Sequence, residues 1–313
     1  MKFLFGPVNS RRLGRSLGID LLPHKTCTLN CIYCECGPTT NLTTEVREYV
    51  PTDAVIEELR GFLSARPPLD IVTFAGSGEP TLHSGIGRII DFLKKEFPEY
   101  PVAILTNGTL LWQGKIRRSL LGADIIIPSL DAVSADLFDT IGRPAPGVNS
   151  RLLMQGLIKL RSEFTGKIYL EVFIIPGVND SDNELNRIRE ACSLIMPDRI
   201  QLNALDRPGS EDWVEQATGK RLEEISTLLQ PHMVDVVGQP AALPGRDDVS
   251  ADKVDAVIAT IGRRPSTAED LSRALGMRMV EVLKIMSSLT DRGVVEKKEM
   301  ERGTFYVLKT NSS

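Results

Sequence analysis

Short apolar, β-branched runs alternate along this chain with longer stretches in which apolar residues return every three or four positions. Asp70-Ile71-Val72-Thr73-Phe74 is one such run, and its near-continuous apolarity suits a buried strand of a parallel sheet. Residues 102–105, 123–128, 167–175 and 199–205 repeat the theme. A strand near 17–22, led in by a hairpin with turn signals around Asn9-Ser10, brings the number to six. Helical spacing covers 54–65, with Thr52 as N-cap, then 86–96 and 148–164. Ser181-Asp182-Asn183-Glu184 has the form of a capping box and opens a helix to about Ile195. Six strands with intervening helices and short connections argue a parallel sheet with right-handed crossovers. Periodicity alone leaves an open sheet and a partial barrel both standing. In either, a site forms at the carboxyl ends of the strands.

After Leu229 the organisation changes. Residues 233–237 read as one more strand, and 239–250, rich in Gly, Pro and Asp, as a linker. A helix follows over 254–261. Pro265-Ser266-Thr267-Ala268-Glu269 then combines a proline with a capping box, and the helix it opens ends at Gly276. A longer helix over 277–291 carries Met279, Leu283, Met286 and Leu289 on its apolar side, and a β-hairpin spans 293–308 around a charged turn. This pattern predicts a main α/β domain over 1–238 and a small winged helix-turn-helix over 251–310.

Composition narrows the setting. The chain has 313 residues, 42% of them apolar and 25% charged, ordinary values for a globular protein. Five cysteines, four of them within ten residues, make no disulfide framework and read as a metal site in a reducing compartment. The opening Met1–Pro7 stretch is too short and too soon broken for a signal peptide, and no apolar run is long enough to span a bilayer. A cytoplasmic protein with no membrane partner is expected. A net charge of −4 argues for no global nucleic-acid affinity. Locally, Lys2, Arg11, Arg12, Arg15 and Lys25 stand against Asp20 alone, a solvated strip or an anion-binding patch.

The chemistry gathers after the first strand. Cys27, Cys31 and Cys34 stand at C-x3-C-x2-C spacing, with Tyr33 directly before the last. Three thiolates can each hold one iron of a [4Fe–4S] cluster, leaving the fourth iron open to a small molecule. The alternative is a zinc knuckle that adds Cys36. Gly76-Ser77-Gly78-Glu79-Pro80 follows the second strand; Asn107, Ser129 and Asp131 follow the third and fourth. Their bland role is turn formation and helix capping. Gly177 closes the fifth strand, and Gln201 and Asn203 are polar positions on the sixth. Cys192 reads as a buried apolar residue and Cys36 as spare.

The cysteine spacing resembles the radical S-adenosylmethionine (radical SAM) superfamily, and Gly-Ser-Gly-Glu-Pro resembles that superfamily's Gly-Gly-Glu-Pro segment, with Ser77 in place of a glycine. The resemblance covers Gly6 to about Gly209. It implies a partial (β/α)6 TIM-type barrel in which Cys27, Cys31 and Cys34 bind a [4Fe–4S] cluster. It also implies that Tyr33, Gly76, Ser77, Gly78, Glu79, Asn107, Ser129, Asp131 and Gly177 contact SAM. The implied activity is an oxidoreductase: SAM is cleaved reductively to a 5′-deoxyadenosyl radical that abstracts hydrogen from an unidentified substrate, RNA or protein being candidates. An electron donor such as flavodoxin or ferredoxin is implied too, and no catalytic side chain is assigned. With Ser10–Gly18, the segments resemble the prokaryotic branch related to the tRNA wyosine-synthesis enzyme, although residues 1–26 lack that enzyme's additional cysteines. The alternative class is a transcriptional regulator that senses SAM or iron–sulfur status and binds DNA through the C-terminal module.

Overall fold

The computed structural model describes residues 1–10, 12–237, 251–300 and 302–309. The linker expected at 239–250 lies outside the described residues, as do Arg11, Gly238, Glu301 and residue 310. Eight strands form one sheet in chain order: β1 (Leu4–Ser10), β2 (Gly14–Ile19), β3 (Ile71–Phe74), β4 (Val102–Thr106), β5 (Ile125–Pro128), β6 (Lys167–Ile174), β7 (Arg199–Ala204) and β8 (Val234–Val236). β1 pairs with β2 antiparallel as the expected hairpin; every later pairing is parallel. The first parallel strand ends at Ile19 and does not reach Leu22, because the Asp20 carboxylate takes the chain out of the sheet. It accepts hydrogen bonds from the amides of Leu22 and Ser77.

The connecting helices are α1 (Thr52–Leu63), α2 (Ile86–Glu96), α3 (Gly114–Leu120), α4 (Ala135–Gly142), α5 (Ser150–Glu163), α6 (Asp182–Ile195) and α7 (Gly219–Leu228). Their apolar stripes are buried; Ile86, Ile89, Ile90 and Leu93 of α2 are an example. Two capping expectations shift. Pro51 occupies the N-cap of α1, and the Thr52 hydroxyl donates instead to Glu48 Oε1 at 2.5 Å. Ser181 caps α6 as expected, but Glu184 does not reciprocate. Its buried carboxylate accepts from the amides of Val133 (2.5 Å) and Ser134 (3.0 Å), tying α6 to the start of α4.

Parallel register puts alternate residues on opposite faces. Ile19, Phe74, Ile104, Ile126, Ile168, Val172 and Leu202 lie on the helix-covered face, and all are 0% exposed. The other face presents Ser16, Gly18, Thr73, Ala103, Ser129, Glu171, Gln201 and Asn203, small or polar side chains, among the apolar Ile71, Leu105, Ile127 and Phe173.

The C-terminal residues build their own core from α8 (Ala251–Arg263), β9 (Ser266–Thr267), α9 (Ala268–Leu275), α10 (Met279–Asp291), β10 (Val295–Met300) and β11 (Gly303–Leu308), the strands ordered β9–β11–β10. The capping box of α9 is Thr267 with Asp270, one residue beyond the expected Ser266–Glu269, because Ser266 pairs with Tyr306 in the sheet. α10 starts two residues later than expected and buries Val282, Ile285, Met286 and Leu289; Leu283, expected on that side, is 46% exposed. This unit docks on β1 and on the loop after β7. Asn9 Nδ2 donates to the Arg273 carbonyl (2.6 Å), and Arg207 Nη1 donates to Pro265 O (2.9 Å) and Ser266 Oγ (3.0 Å). Arg302 Nε lies 3.1 Å from Asp206. Among the described residues, no helix is long and apolar enough to cross a membrane.

Candidate functional site

The loop after β2 carries the cysteines, and its backbone is clamped from two sides. The Asn30 and Ile32 amides donate to the carbonyls of Gly142 and Ile141 at the end of α4 (2.8 and 3.0 Å), and Ser210 Oγ donates to Cys34 O (3.2 Å). Cys27, Cys31, Cys34 and Cys36 are half-buried and free of disulfides. Two nitrogen donors aim at their sulfurs. Lys25 Nζ lies 2.9 Å from Cys34 Sγ, and Asn107 Nδ2 lies 3.5 Å from Cys27 Sγ while donating to Thr28 Oγ1 at 2.8 Å. The electrostatics separate the thiols. Burial, with the Glu79 charge, pushes Cys27 up to about 11, and burial among the other thiols raises Cys31. Cys34 is lowered by a hydrogen bond from Cys36, with Lys25 adding to it against burial. Burial would lower Lys25, but Cys34 beside it outweighs this and raises it to about 12.

The segment after β3 is folded against this loop. A side chain at Gly76, whose φ is +148°, would collide with the Asp20 carboxylate, and one at Gly78 would collide with the Thr26 carbonyl. Ser77 donates from both its amide (3.2 Å) and its hydroxyl (3.0 Å) to Asp20 Oδ2. Glu79 is engaged within the protein. Its buried carboxylate turns inward and accepts from Thr81 N, Thr81 Oγ1, Thr106 Oγ1 and Asn107 N at 2.5–3.1 Å. It therefore locks the ends of β3 and β4 together and holds Asn107 toward the cysteines.

Tyr33 stacks on Phe173 (centroids 3.9 Å apart, 12° between planes), and its hydroxyl donates to Asp131 Oδ2 at 2.5 Å. Asp131 also accepts from Phe173 N at 2.9 Å; burial nonetheless pushes its carboxyl up to about 7. Ser129 Oγ lies 3.5 Å from Glu171 Oε1, and Glu171 pairs with Arg12. Cys31, Tyr33, Asn107, Ser129 and Asp131 line one cavity of about 340 Å³. Gly76 and Cys36 line a larger one, about 1250 Å³, between the polar sheet face and the C-terminal unit. Gly177 lines neither; it sits exposed in a turn whose amide donates to Asp180. Lys25, Thr28 and Glu171 were not among the expected site residues. Glu171 carried a readable signal, a lone acid in an apolar strand, the same one that singles out Gln201 and Asn203.

The donor set fits an iron–sulfur cluster. The four-cysteine zinc alternative would put all four sulfurs on one ion. A cubane cluster instead puts each thiolate on a different iron, and N–H donors to its sulfurs tune it. Cys36 donates to Cys34 and lies 3.7 Å from the Gly76 carbonyl.

The chain is similar to known proteins over most of its length. It is 35% identical over 297 residues to the GTPase Obg of Brachyspira hyodysenteriae, which covers 95% of this chain but only 44% of that protein. The chain contains no G-x-x-x-x-G-K-[ST] phosphate loop. It is 32% identical over 278 residues to a UPF0026 protein of Helicobacter pylori, covering 86% of this chain and 87% of the relative. Among solved structures, a radical SAM methyltransferase from Sphaerobacter thermophilus superposes with a TM-score of 0.56 at 18% identity, over 71% of this chain and 66% of the other, a likeness of fold. The radical SAM superfamily profile matches residues 21–187, more than half of the chain and including the whole cysteine loop. Members of that superfamily use a [4Fe–4S] cluster and SAM. The chain belongs to the radical SAM superfamily.

Proposed function

We propose that this chain is a radical SAM enzyme, a partial (β/α)6 barrel over 1–238 joined to a winged-helix module over 251–310. The observation that carries the reading is the trio Cys27, Cys31 and Cys34 on one clamped loop, with Lys25 and Asn107 directed at two of its sulfurs. Cys27, Cys31 and Cys34 would hold a [4Fe–4S] cluster, which would supply the electron for reductive cleavage of SAM and so for hydrogen abstraction from substrate. The chain's own residues bind and orient. Lys25 and Asn107 donate to the sulfurs of Cys34 and Cys27 and offset their negative charge. Tyr33, Asn107, Ser129 and Asp131 line the smaller cavity, the place for SAM, and the stack on Phe173 fixes the Tyr33 ring in its wall. Gly76, Ser77 and Gly78 keep their backbone against the cysteine loop, Glu79 holds Asn107 in place, and Gly177 is left out of the contact set.

The electron enters from a small donor such as flavodoxin or ferredoxin, and substrate enters the larger chamber. The grouping with the wyosine-related branch rests on Ser10–Gly18 and the loop motifs. The regulator alternative draws no support from the family match or from α10. The exposed side of that helix carries Val280 and Leu283, Lys284 is its cation, and Glu281 is paired with Lys253 (3.5 Å). Duplex binding needs several unopposed cations on phosphates.

The test is anaerobic reconstitution of single variants. Cys27→Ala, Cys31→Ala and Cys34→Ala are expected to lose bound iron and the brown charge-transfer absorbance, while Cys36→Ala keeps both. Equal loss in all four variants would return the site to zinc or a closed cluster.

A further inference from the structure

The larger chamber is a joint product of two units, and its wall is unusually rich in guanidinium groups. Four arginines line it, Arg12, Arg207, Arg263 and Arg264, against two acids, Glu35 and Asp270. The counter-charges differ from one arginine to the next. Arg207 is held by Asp270 (3.4 Å) and Glu35 (3.6 Å), where it latches the C-terminal unit in place, and Arg12 is paired with Glu171. Arg263 makes a long ion pair with Asp20 (3.8 Å) and donates Nη1 to the Ala259 carbonyl (2.9 Å), but its buried Nε has no hydrogen-bond partner among the described residues. Arg264, half-buried on the same wall, has no side-chain hydrogen bond or ion pair among the described residues; its charge acts on the Cys36 thiol. Two adjacent guanidiniums therefore face one cavity with unused donors. A partly desolvated charge without a counter-ion is costly, and the guanidinium fork matches the oxygens of phosphate or carboxylate.

The rest of the wall is apolar or uncharged. The Arg263 guanidinium lies 4.3 Å over the Phe5 ring, and Val8, Leu13, Leu105 and Ala274 continue the apolar surface. The chamber lies between the sheet and α8–α9 and leaves room beside the guanidiniums for more than an oxyanion, as a small-molecule site requires.

We propose that this chamber binds a small organic molecule bearing an oxyanion, phosphate or carboxylate. Arg263 and Arg264 of the C-terminal unit take the oxyanion, and the apolar wall takes the body. This rests on the reading of the larger chamber as the substrate site. It gives the C-terminal unit a defined part, a wall of the binding chamber that supplies the charge recognised there.

Inorganic pyrophosphate and succinate serve as probes on the full, cluster-reconstituted chain. In calorimetric titration one of them is expected to bind, and Arg264→Gln to weaken it about tenfold, the loss of one charge-assisted contact, while Arg118→Gln, an exposed arginine on α3, leaves it unchanged. Tighter pyrophosphate marks a phosphate ligand; tighter succinate marks a carboxylate. In the unaltered chain, the better probe is expected to slow phenylglyoxal modification of Arg264 severalfold, read by peptide mass spectrometry, without slowing that of Arg118. Failure of both probes to bind, or equal modification rates with and without probe, overturns the proposal. The reconstituted, reduced parent chain separates it from the enzymatic reading. Anion binding in a parent chain that carries its full cluster yet leaves SAM intact keeps the chamber and sinks the enzyme; SAM cleavage with no anion binding does the reverse.

Discussion

Ile19, Phe74, Ile104, Ile126 and Leu202 form one face of the sheet; Gly18, Thr73, Ala103, Ser129 and Gln201 form the other, on the same strands. The first face is continuous hydrocarbon under helices. The second mixes these small or polar residues with Leu105, Ile127 and Phe173, and its Gly18, Thr73 and Leu105 line the large chamber. A face that only had to be buried would be cheapest made of hydrocarbon. Keeping hydroxyls, a carboxylate and amides there is a cost in stability that a binding surface explains. Gln201 Oε1, buried with no hydrogen-bond partner among the described residues, is the clearest instance.

Adjacent residues sharpen the contrast most. Phe74→Ala is expected to cost about 3–5 kcal/mol in urea denaturation, through lost burial and the cavity left behind. Thr73→Val, which strands the Ser16 hydroxyl now 2.7 Å from Thr73 Oγ1, is expected to cost about 1 kcal/mol. Similar costs at both positions would erase the distinction between the faces.

At the rim between the faces, Glu79→Gln is expected to cost about 1–3 kcal/mol, because an amide cannot accept from all four donors that the carboxylate satisfies. Iron content after reconstitution is expected to fall less than in Cys27→Ala, since Glu79 acts on the cysteine loop through Asn107. A Glu79→Gln chain as stable as the parent would mean that the carboxylate is held for a ligand and not for the strand ends.

Asp131 gives a smaller, pH-dependent signal. Burial raises its carboxyl from 3.8 to about 7, so the folded chain keeps a proton that the unfolded chain has lost. Its contribution to stability should therefore be full below pH 4, decline as pH rises toward 7, and be flat above that. The slope is at most ~1.4 kcal/mol per pH unit for one proton. Denaturation of Asp131→Asn at pH 5, 6 and 7.5 should show the slope reduced; an unchanged slope would place the titrating group elsewhere. Smallest of all, Leu283→Ala on the exposed side of α10 should shift stability by less than about 0.5 kcal/mol. A larger loss would mean that this side is covered in solution.

The hydrocarbon face explains why the fold was legible in the sequence. Runs such as Ile71–Phe74 and Lys167–Ile174 announce buried parallel strands by composition alone, and the helices between them show their stripes. What escaped was short or set by distant partners. Gly114–Leu120 and Ala135–Gly142 are helices of seven and eight residues, too brief for a periodic signal. The second half of the Ser181 capping box failed because the Val133 and Ser134 amides compete for the same carboxylate. The apolar side of α10 was misjudged at Leu283, since Val282 and Ile285 are the residues that meet the second core. At the site, the cysteine spacing needed no tertiary information. The inward turn of Glu79, the Tyr33–Phe173 stack and the chamber shared with α8 and α9 all depend on which strands and units end up adjacent.

The central claim is that the cysteine loop and the polar face together make a radical SAM enzyme. Its most direct test is incubation of the anaerobically reconstituted, dithionite-reduced chain with SAM and chromatography of the products. The account requires 5′-deoxyadenosine, formed slowly without substrate and absent with Cys31→Ala. A chain that carries its full cluster, binds SAM and yet yields no 5′-deoxyadenosine above the Cys31→Ala background would contradict it.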